Sequence, residues 1–320
     1  MMPLVMDGLQ YANWSETVFR QMRQGGIDAV HATVAYHGNF AEVEAAMAEW
    51  MLRCRRHREL ILLASEFADL DRARRSSRTA IFPGLQNPSP IGDDLSLLEA
   101  LYRLGVRFMQ LTYNNQSLLG TGYMEAVDAG LTRMGREAVA EMNRLGMVID
   151  LSHAGPDTAL QAIEASAGPV AITHANPQFW HPIGRNIPDH VLKALAESGG
   201  MLGLSLYPLH LAGGSGCPLD AFCGMAAETA GRYGVEFLGI GSDLCQDRPA
   251  ESLRWMRYGR WSLKSVKEEA FPRPVSWFQD NRQFPGLAAG LRQAGFSEQD
   301  AAAVLGENWH RFLRRVMVRG

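Results

Sequence analysis

The hydrophobic positions of this chain fall into short apolar runs that alternate with longer segments of helical period. The segment from Thr132 to Leu145 shows the helical type, because Thr132 can cap its N-terminus and Gly146 can end it. Its charged and apolar side chains fall on opposite faces. Apolar runs separated by such helices indicate parallel βαβ units. The candidate strands are residues 3–7, 27–35, 60–63, 79–85, 106–111, 147–151, 169–173, 200–206 and 236–240.

Two architectures fit this alternation, a doubly wound sheet and a closed barrel. A doubly wound sheet usually carries a glycine-rich phosphate loop after its first strand. The segment from Asp7 to Tyr11 reads DGLQY and is no such loop. We therefore predict an α/β fold of the (β/α)₈, TIM-type barrel class, with one candidate strand outside the barrel.

The chain length and one aromatic segment bear on the domain organisation. Barrels of this size are commonly single domains, so we expect residues 1–320 to form one domain. Residues 246–285 are rich in Trp, Arg and Pro. This segment follows a predicted barrel strand, and we expect either a lid over the barrel mouth or an aromatic segment that packs on the outer helices or in a homodimer interface.

Composition excludes several classes of partner. The 320 residues are 47% hydrophobic and 20% charged with a formal net charge of -3, which gives no basic footprint for nucleic acid. No apolar run reaches the roughly 18 residues of a membrane span, and the N-terminus lacks a signal-peptide pattern. The four cysteines form no C-x-x-C pair or disulfide framework. We expect a cytoplasmic protein that binds neither nucleic acid nor membrane.

Three side chains follow candidate strands at positions where a barrel keeps its chemistry. His153 and His174 each end an apolar run, and Asp243 follows the run 237–242. Two imidazoles and a carboxylate at neighbouring strand ends could converge on one metal ion, as in a catalytic zinc site with an open position. The alternative is that each is a hydrogen-bonded core or loop residue, and spacing alone does not separate the two interpretations.

Two long segments of the sequence are GLTRMGRE at residues 130–137 and EMNRLGMVIDLSH at residues 141–153. Both resemble the renal (membrane) dipeptidase family of zinc metallohydrolases. The resemblance spans essentially the whole chain and implies a (β/α)₈ barrel enzyme that cleaves dipeptides with two zinc ions. Shorter matching segments are THAN at 173–176, GRN at 184–186, GG at 199–200, GIGSD at 239–243 and GENW at 306–309.

The resemblance also implies roles for particular residues. His153 and His174 resemble the ligands of the second zinc ion, and Asp243 resembles the active-site aspartate near the metal-bound water. Arg185 resembles the group that pairs with the substrate carboxylate. An arginine suits that role because its planar guanidinium binds a carboxylate with two parallel hydrogen bonds.

The sequence departs from the family at four active-site positions. Leu9 and Tyr11 stand where the family's first strand supplies a His and an Asp to the first zinc ion. Gln86 stands at the position of the bridging glutamate, and a neutral amide is a poor bridge between two dications. Tyr113 replaces a His that contacts the substrate. We therefore expect a single zinc ion per chain. The site has either been rebuilt or has decayed, and the polar groups at Gln86, Tyr113 and Asn114, which could bind a substrate by hydrogen bonds, favour a rebuilt site.

The leading hypothesis is a metallohydrolase that cleaves a dipeptide or a related small, amino-acid-like amide. Asp243 would act either as a ligand or as the base that accepts the proton of the attacking water. The alternatives are a hydrolase of another small amide, lactone or N-modified amino acid, and a metal-free barrel that binds a ligand without turnover. Cys245 is either a soft ligand or substitute nucleophile, or simply a small buried residue.

Overall fold

The centre of the molecule is a closed barrel of eight parallel strands. A computed structural model describes residues 3–248, 251–259 and 271–318. The barrel order is β1-β2-β4-β5-β6-β7-β8-β9, and β9 pairs with β1 to close it. β3 pairs with β4 outside the barrel, and β10 continues beside β1. The strands are β1 (Met6–Ala12), β2 (Ala29–Ala35), β3 (Ile61–Leu63), β4 (Thr79–Leu85), β5 (Phe108–Gln110), β6 (Val148–Asp150), β7 (Ala171–Ala175), β8 (Met201–Leu204), β9 (Leu238–Ile240) and β10 (Leu244–Gln246).

This topology confirms the predicted TIM-type barrel, and β3 is the candidate strand that lies outside it. The prediction of a first strand at residues 3–7 is wrong in its bounds, because β1 runs Met6–Ala12. Its polar residues are nevertheless buried: the Asp7 carboxylate accepts hydrogen bonds from Gln10 Nε2 and from the Ser242 amide, both at 2.7 Å. A search for apolar residues alone stops at Asp7 and misses the rest of the strand.

Helices surround the barrel and cover its strands. α5 begins after Thr132, whose hydroxyl accepts from the Gly135 amide at 2.9 Å, and ends at Gly146 with a positive φ of 75°, as predicted. No helix in the described ranges is long and apolar enough to cross a membrane. The α-helices are α1 (Glu16–Gln24), α2 (Phe40–Arg56), α3 (Ala68–Arg75), α4 (Ser96–Leu104), α5 (Arg133–Leu145), α6 (Pro156–Ala165), α7 (Asp189–Glu197), α8 (Leu219–Tyr233), α9 (Glu251–Tyr258), α10 (Phe284–Gln293), α11 (Glu298–Ala302) and α12 (Asn308–Met317), with short 3₁₀ turns at Ser89–Ile91, Pro208–His210, Gly214–Gly216 and Asn281–Gln283 and a π turn at Ala303–Glu307.

One tryptophan closes the amino end of the barrel. Trp309, from α12, is fully buried against Gly8 and Gly239, and side chains at these two glycines would collide with its ring at 2.5 and 2.3 Å. Its indole nitrogen donates to the Ile240 carbonyl at 2.9 Å. Opposite this filled end, the polar cavity of the molecule lies at the carboxyl end of the strands, where the functional side chains of barrel enzymes lie.

We predict that Gly203→Ala lowers the free energy of unfolding by about 1–3 kcal/mol, the usual cost of overpacking a core. A methyl group at Gly203 in β8 would meet the Thr173 carbonyl oxygen of β7 at 1.9 Å. Denaturant unfolding followed by circular dichroism measures the loss. The control is Gly231→Ala on α8, where nothing lies within 4 Å of the added carbon. Equal stability of the two variants would contradict this tight approach of the strands.

Candidate active site

A cavity of about 380 Å³ opens at the carboxyl end of the barrel strands. Its walls combine charged, imidazole and phenol groups with a few apolar side chains. Six of the seven residues predicted for the site line this cavity, and they follow β4, β5, β6, β7 and β9 along the chain. These six are Gln86, Tyr113, Asn114, His153, Arg185 and Asp243.

The seventh, His174, lies behind the cavity wall and in contact with His153. The Nε2 atoms of the two imidazoles are 3.1 Å apart, and both side chains are buried. Convergence of β6 and β7 at the barrel mouth brings these residues together although they are 21 positions apart in the chain. The structure thus forms the histidine pair that the strand-end pattern suggested.

Asn114 determines which nitrogen of His153 carries the proton. The Asn114 amide nitrogen donates to the Arg257 carbonyl at 3.0 Å, so its oxygen is the end that faces His153. That oxygen lies 2.7 Å from His153 Nδ1 and accepts a hydrogen bond from it. The proton is therefore on Nδ1, and Nε2 of the neutral ring carries a lone pair. Because both ends of the Asn114 amide are engaged, its structural role is to position His153.

A second relay sets the protonation of His174. The Thr173 hydroxyl donates to the Asp150 carboxylate at 2.6 Å, and its oxygen lies 2.8 Å from His174 Nδ1. Since the single hydroxyl hydrogen points to Asp150, the Thr173 oxygen accepts from His174 Nδ1–H. The Nε2 atom of His174 therefore carries a lone pair as well, directed at the same point as that of His153.

Two lone pairs that face each other at 3.1 Å repel unless a proton or a cation lies between them. Burial, and next the charge of Arg185, lower the pKa of His153 and of His174 well below the ordinary value, which disfavours the proton. Two nitrogen ligands of a tetrahedral zinc ion, each at 2.0–2.1 Å from it, lie about 3.3 Å apart. The histidine pair therefore fits two ligands of one metal ion.

The grouping of possible ligand side chains also limits the number of metal ions that the site can hold. Within residues 3–248, 251–259 and 271–318, no three His, Cys, Asp or Glu side chains are grouped so that they could hold a metal ion. The predicted three-ligand set that includes Asp243 is therefore not assembled in the described structure. Where the family's first zinc ion would bind, the residues do not fit a metal, because they form a buried cluster of Leu9, Tyr11, Tyr36, Tyr113 and Met256.

Arg185 and Asp243 are buried ionisable groups of the cavity wall. Arg185 is 5% exposed and donates through Nη2 to the His174 carbonyl at 2.6 Å, while its Nε and Nη1 atoms have no hydrogen-bond partner among the described residues. Burial raises the pKa of Asp243 to about 8, and the charge of Arg185 opposes that rise. Asp243 therefore takes up a proton more readily than an ordinary carboxyl group does. Arg185 is left as a positive charge with donors free for an anion.

Three of these residues have a strained backbone. Asn114, His153 and Asp243 have φ angles of 62°, 67° and 55°, in the left-handed region that non-glycine residues rarely adopt. Such conformations persist where the surrounding structure imposes them, and they concentrate at functional sites. Here they turn side chains at the ends of β5, β6 and β9 into one cavity.

Comparison with known proteins identifies the family. Residues 5–253 match the family model for membrane dipeptidase, peptidase family M19. The chain belongs to the membrane dipeptidase family. Dipeptidase tcpJ of Claviceps purpurea is 28% identical over 257 residues, which are 79% of this chain and 55% of that protein. The chain spans about half the length of the curated relatives it matches.

Solved structures of membrane dipeptidase relatives and other hydrolases share the fold. An amidohydrolase from Pseudomonas aeruginosa is 31% identical with a TM-score of 0.94, and the match covers 98% of this chain and 97% of that one. A metallopeptidase from Rhodobacter sphaeroides, solved with a phosphinate mimic of the dipeptide L-Ala-D-Ala, is 20% identical with a TM-score of 0.80 over 99% of this chain and 100% of that one. The sequence resemblance to the family is thus confirmed.

Several residues that line the cavity of this membrane dipeptidase family member are not among the site residues predicted from its sequence. Tyr207 and His210 follow β8 and line the cavity. The strand-end rule that found His153 and His174 could have found His210 also, but no family motif drew attention to it. Tyr123 comes from the long loop after β5, where no periodic pattern marks it.

The structure also bears on two other predictions from the sequence, one for Cys245 and one for the segment 246–285. Cys245 is half-buried, and burial raises the pKa of its thiol to about 12, which agrees with a structural residue rather than a reactive thiolate.

Of the predicted lid segment 246–285, helix α9 contributes Met256, Arg257 and Tyr258 to the cavity wall. Residues 249–250 and 260–270 lie outside the described residues, so the lid stays a prediction.

We predict that Asn114→Ala weakens zinc binding by about 10–100-fold, the usual effect of losing an outer hydrogen-bond partner of a metal-binding histidine. The variant frees His153 to place its proton on Nε2. Competition with a chromogenic chelator measures the affinity. Asn115→Ala is the matched control, since no side-chain hydrogen bond of Asn115 is found in the described part of the chain. Equal affinities of both variants and the native protein would contradict the positioning role of Asn114.

Proposed function

We propose that this protein hydrolyses the amide bond of a dipeptide or a closely related amino-acid-like amide, whose free carboxylate binds Arg185. The observation that carries the proposal is the buried guanidinium, with two nitrogen atoms unpartnered within the described structure, in a cavity that is also lined by His153 of the histidine pair. A buried charge without a partner is costly. A ligand carboxylate would satisfy it with two parallel hydrogen bonds.

His153 and His174 would hold one zinc ion through their Nε2 atoms. Such an ion would polarise the amide carbonyl and activate a water molecule. In the reaction the water oxygen bonds to the carbonyl carbon, the carbon–nitrogen bond breaks, and the leaving amine gains a proton. Asp243 lines the same cavity and exchanges a proton near neutral pH, so it is our candidate for moving that proton.

The remaining polar residues of the cavity would bind and orient the substrate. Gln86 uses its amide nitrogen on the Thr33 hydroxyl at 2.7 Å, which fixes the orientation of the amide. The ring of Tyr113 packs against that of His153, with ring centroids 4.3 Å apart and the ring planes tilted by 33°. Burial raises the pKa of Tyr113 well above its ordinary value, so its hydroxyl stays protonated and can donate to the substrate.

Relatives support the class of reaction. The family includes dipeptidases such as tcpJ, and the 31% identical relative of known structure is an amidohydrolase. The dipeptide mimic bound to the more distant metallopeptidase is a small molecule of the kind proposed here. A cytoplasmic location and a homodimer remain predictions from the sequence.

A second candidate function is ligand binding without turnover. It is favoured by the missing third ligand among the described residues and by the apolar cluster around Leu9 and Tyr11 at the position of the family's first ion. In that case Arg185 would still bind a carboxylate, and the histidine pair would share a proton instead of a metal ion. Metal content and turnover distinguish the two functions.

We predict that the purified protein binds at most about one zinc ion per chain. His153→Ala or His174→Ala should abolish that binding, because each removes one of the two imidazoles whose Nε2 atoms lie 3.1 Å apart and would hold the ion. Elemental analysis after gel filtration in zinc-free buffer measures the content. His190→Ala, at an exposed position on α7, is the control and should keep the ion.

Two tightly held ions per chain would contradict the single-ion site. Zinc retained by both His153→Ala and His174→Ala would contradict the assignment of these ligands. A native protein with no zinc and no hydrolysis of dipeptides or N-acyl amino acids would support ligand binding without turnover.

We predict that Arg185→Lys reduces kcat/KM for free-acid substrates by roughly 10–100-fold, the value of a charge-assisted hydrogen bond. The loss should be much smaller for the corresponding C-terminal amides, because Lys keeps the charge but loses the two-pronged geometry. Steady-state kinetics on a dipeptide and its carboxamide measure both values. Equal losses on acid and amide would indicate that Arg185 only supports the fold.

A further inference from the structure

A third imidazole, that of His210, faces the cavity from the turn after β8. His210 ends the short turn Pro208–His210, lines the cavity together with Arg185, and is 6% exposed. Its Nδ1 atom is bound to the Ser205 hydroxyl at 2.8 Å. Its Nε2 atom has no hydrogen-bond partner in the described part of the structure and is the polar atom left for a ligand.

Hydrogen-bond balance at Ser205 determines where the His210 proton lies. The Ser205 oxygen accepts from the Tyr207 amide at 3.2 Å. The one acceptor within reach of the Ser205 hydroxyl hydrogen, among the described residues, is His210 Nδ1. His210 therefore carries its proton on Nε2. Burial, and next the charge of Arg185, lower the pKa of His210 well below its ordinary value, which keeps the ring neutral.

This protonation is opposite to that of the histidine pair. His153 and His174 have hydrogen-bond acceptors at Nδ1 and present lone pairs at Nε2, as metal ligands do. His210 has a donor at Nδ1 and presents an N–H group. The cavity thus borders a histidine pair suited to a cation, of which His153 lines the wall, and one imidazole, His210, suited to an anion.

Two buried asparagines fix His210 relative to Arg185. Asn176 binds the Ser205 backbone at both ends of its amide, at 2.9 and 3.1 Å. The Asn186 amide nitrogen, on the residue next to Arg185, donates to the His210 carbonyl at 3.1 Å. The Arg185 loop and the His210 turn therefore form one rigid unit that carries two donors.

We propose that His210 is a substrate-binding residue whose Nε2–H donates a hydrogen bond to the same substrate carboxylate that Arg185 binds. The inference rests on the proposed function and deepens it, because it assigns the carboxylate two donors of different chemistry. Arg185 supplies charge and His210 a neutral, directional donor, so that a C-terminal acid is distinguished from a C-terminal amide at two points.

The binding experiment uses a phosphinate mimic of L-Ala-D-Ala and the C-terminal carboxamide of the same compound. Titration calorimetry with the native protein should show tighter binding of the acid. His210→Phe should weaken binding of the acid by roughly tenfold or more, the effect of losing a hydrogen bond to a charged group. Its effect on the carboxamide should be several times smaller. His210→Gln, which keeps a donor near the Nε2 position, should recover most of the affinity for the acid.

Equal losses on acid and carboxamide, or no recovery by His210→Gln when both variants melt like the native protein, would overturn the inference. A separate measurement does not depend on any ligand. Nitrogen-15 NMR of the imidazoles in the native protein should show the His210 proton on Nε2, and Ser205→Ala should reduce that preference. A proton on Nδ1 in the native protein would overturn the inference.

If the native protein binds neither phosphinate compound, the proposed function fails, and the NMR result alone decides the protonation on which the inference depends.

Discussion

The buried guanidinium of Arg185 is the interaction on which the electrostatics of the cavity depend. Burial is the larger cause that lowers the pKa of three imidazoles, those of His153, His174 and His210, and the charge of Arg185 lowers it further. The same charge opposes the rise in the pKa of Asp243 that burial causes. Neutral imidazoles can act as metal ligands or as hydrogen-bond donors, whereas protonated ones cannot bind a metal. One fixed positive charge thus prepares the cavity for an anionic substrate and for a metal ion together.

The barrel fold brings the side chains on which the charge of Arg185 acts into one cavity. Parallel strands end at one rim, and Trp309 fills the opposite end, so polar groups from distant parts of the chain meet in a single cavity. Left-handed backbone at His153 and Asp243 then turns side chains inward. Stability elsewhere in the barrel compensates for that local strain.

A buried cluster of side chains occupies the part of the site where the sequence departs from the family's pattern. Leu9 and Tyr11 do not leave a gap where metal ligands are lost; they pack with Tyr36, Tyr113 and Met256 in a buried cluster. Aromatic pairs such as Tyr11 with Tyr36, whose ring centroids are 6.1 Å apart, stabilise this wall. Because packed side chains fill this wall, we favour a site rebuilt around one metal ion over a site that has merely lost its metal ligands.

The sequence predicted the barrel and the two histidines at strand ends, because apolar periodicity and strand-end position carry that information. It predicted that one candidate strand lies outside the barrel but did not identify which one. It could not predict the full length of β1, whose polar Asp7 and Gln10 are buried through mutual hydrogen bonds. The role of Asn114 in positioning His153 depends on hydrogen bonds across the fold, which leave no local pattern.

His210 was also missed, although it follows a predicted strand. A single imidazole after a strand has no distinctive spacing, and its significance appears only when its partner Ser205 and the neighbouring Arg185 are seen together. Contacts of this kind, between side chains from different loops, could be found only from the structure.

The most direct test of the account is a crystal structure of the protein with zinc and a phosphinate mimic of a dipeptide, with anomalous diffraction recorded at the zinc edge. The account predicts one anomalous peak, between the Nε2 atoms of His153 and His174, and a ligand carboxylate on Arg185. Two peaks, a peak away from the histidine pair, or a ligand whose carboxylate does not contact Arg185 would contradict it.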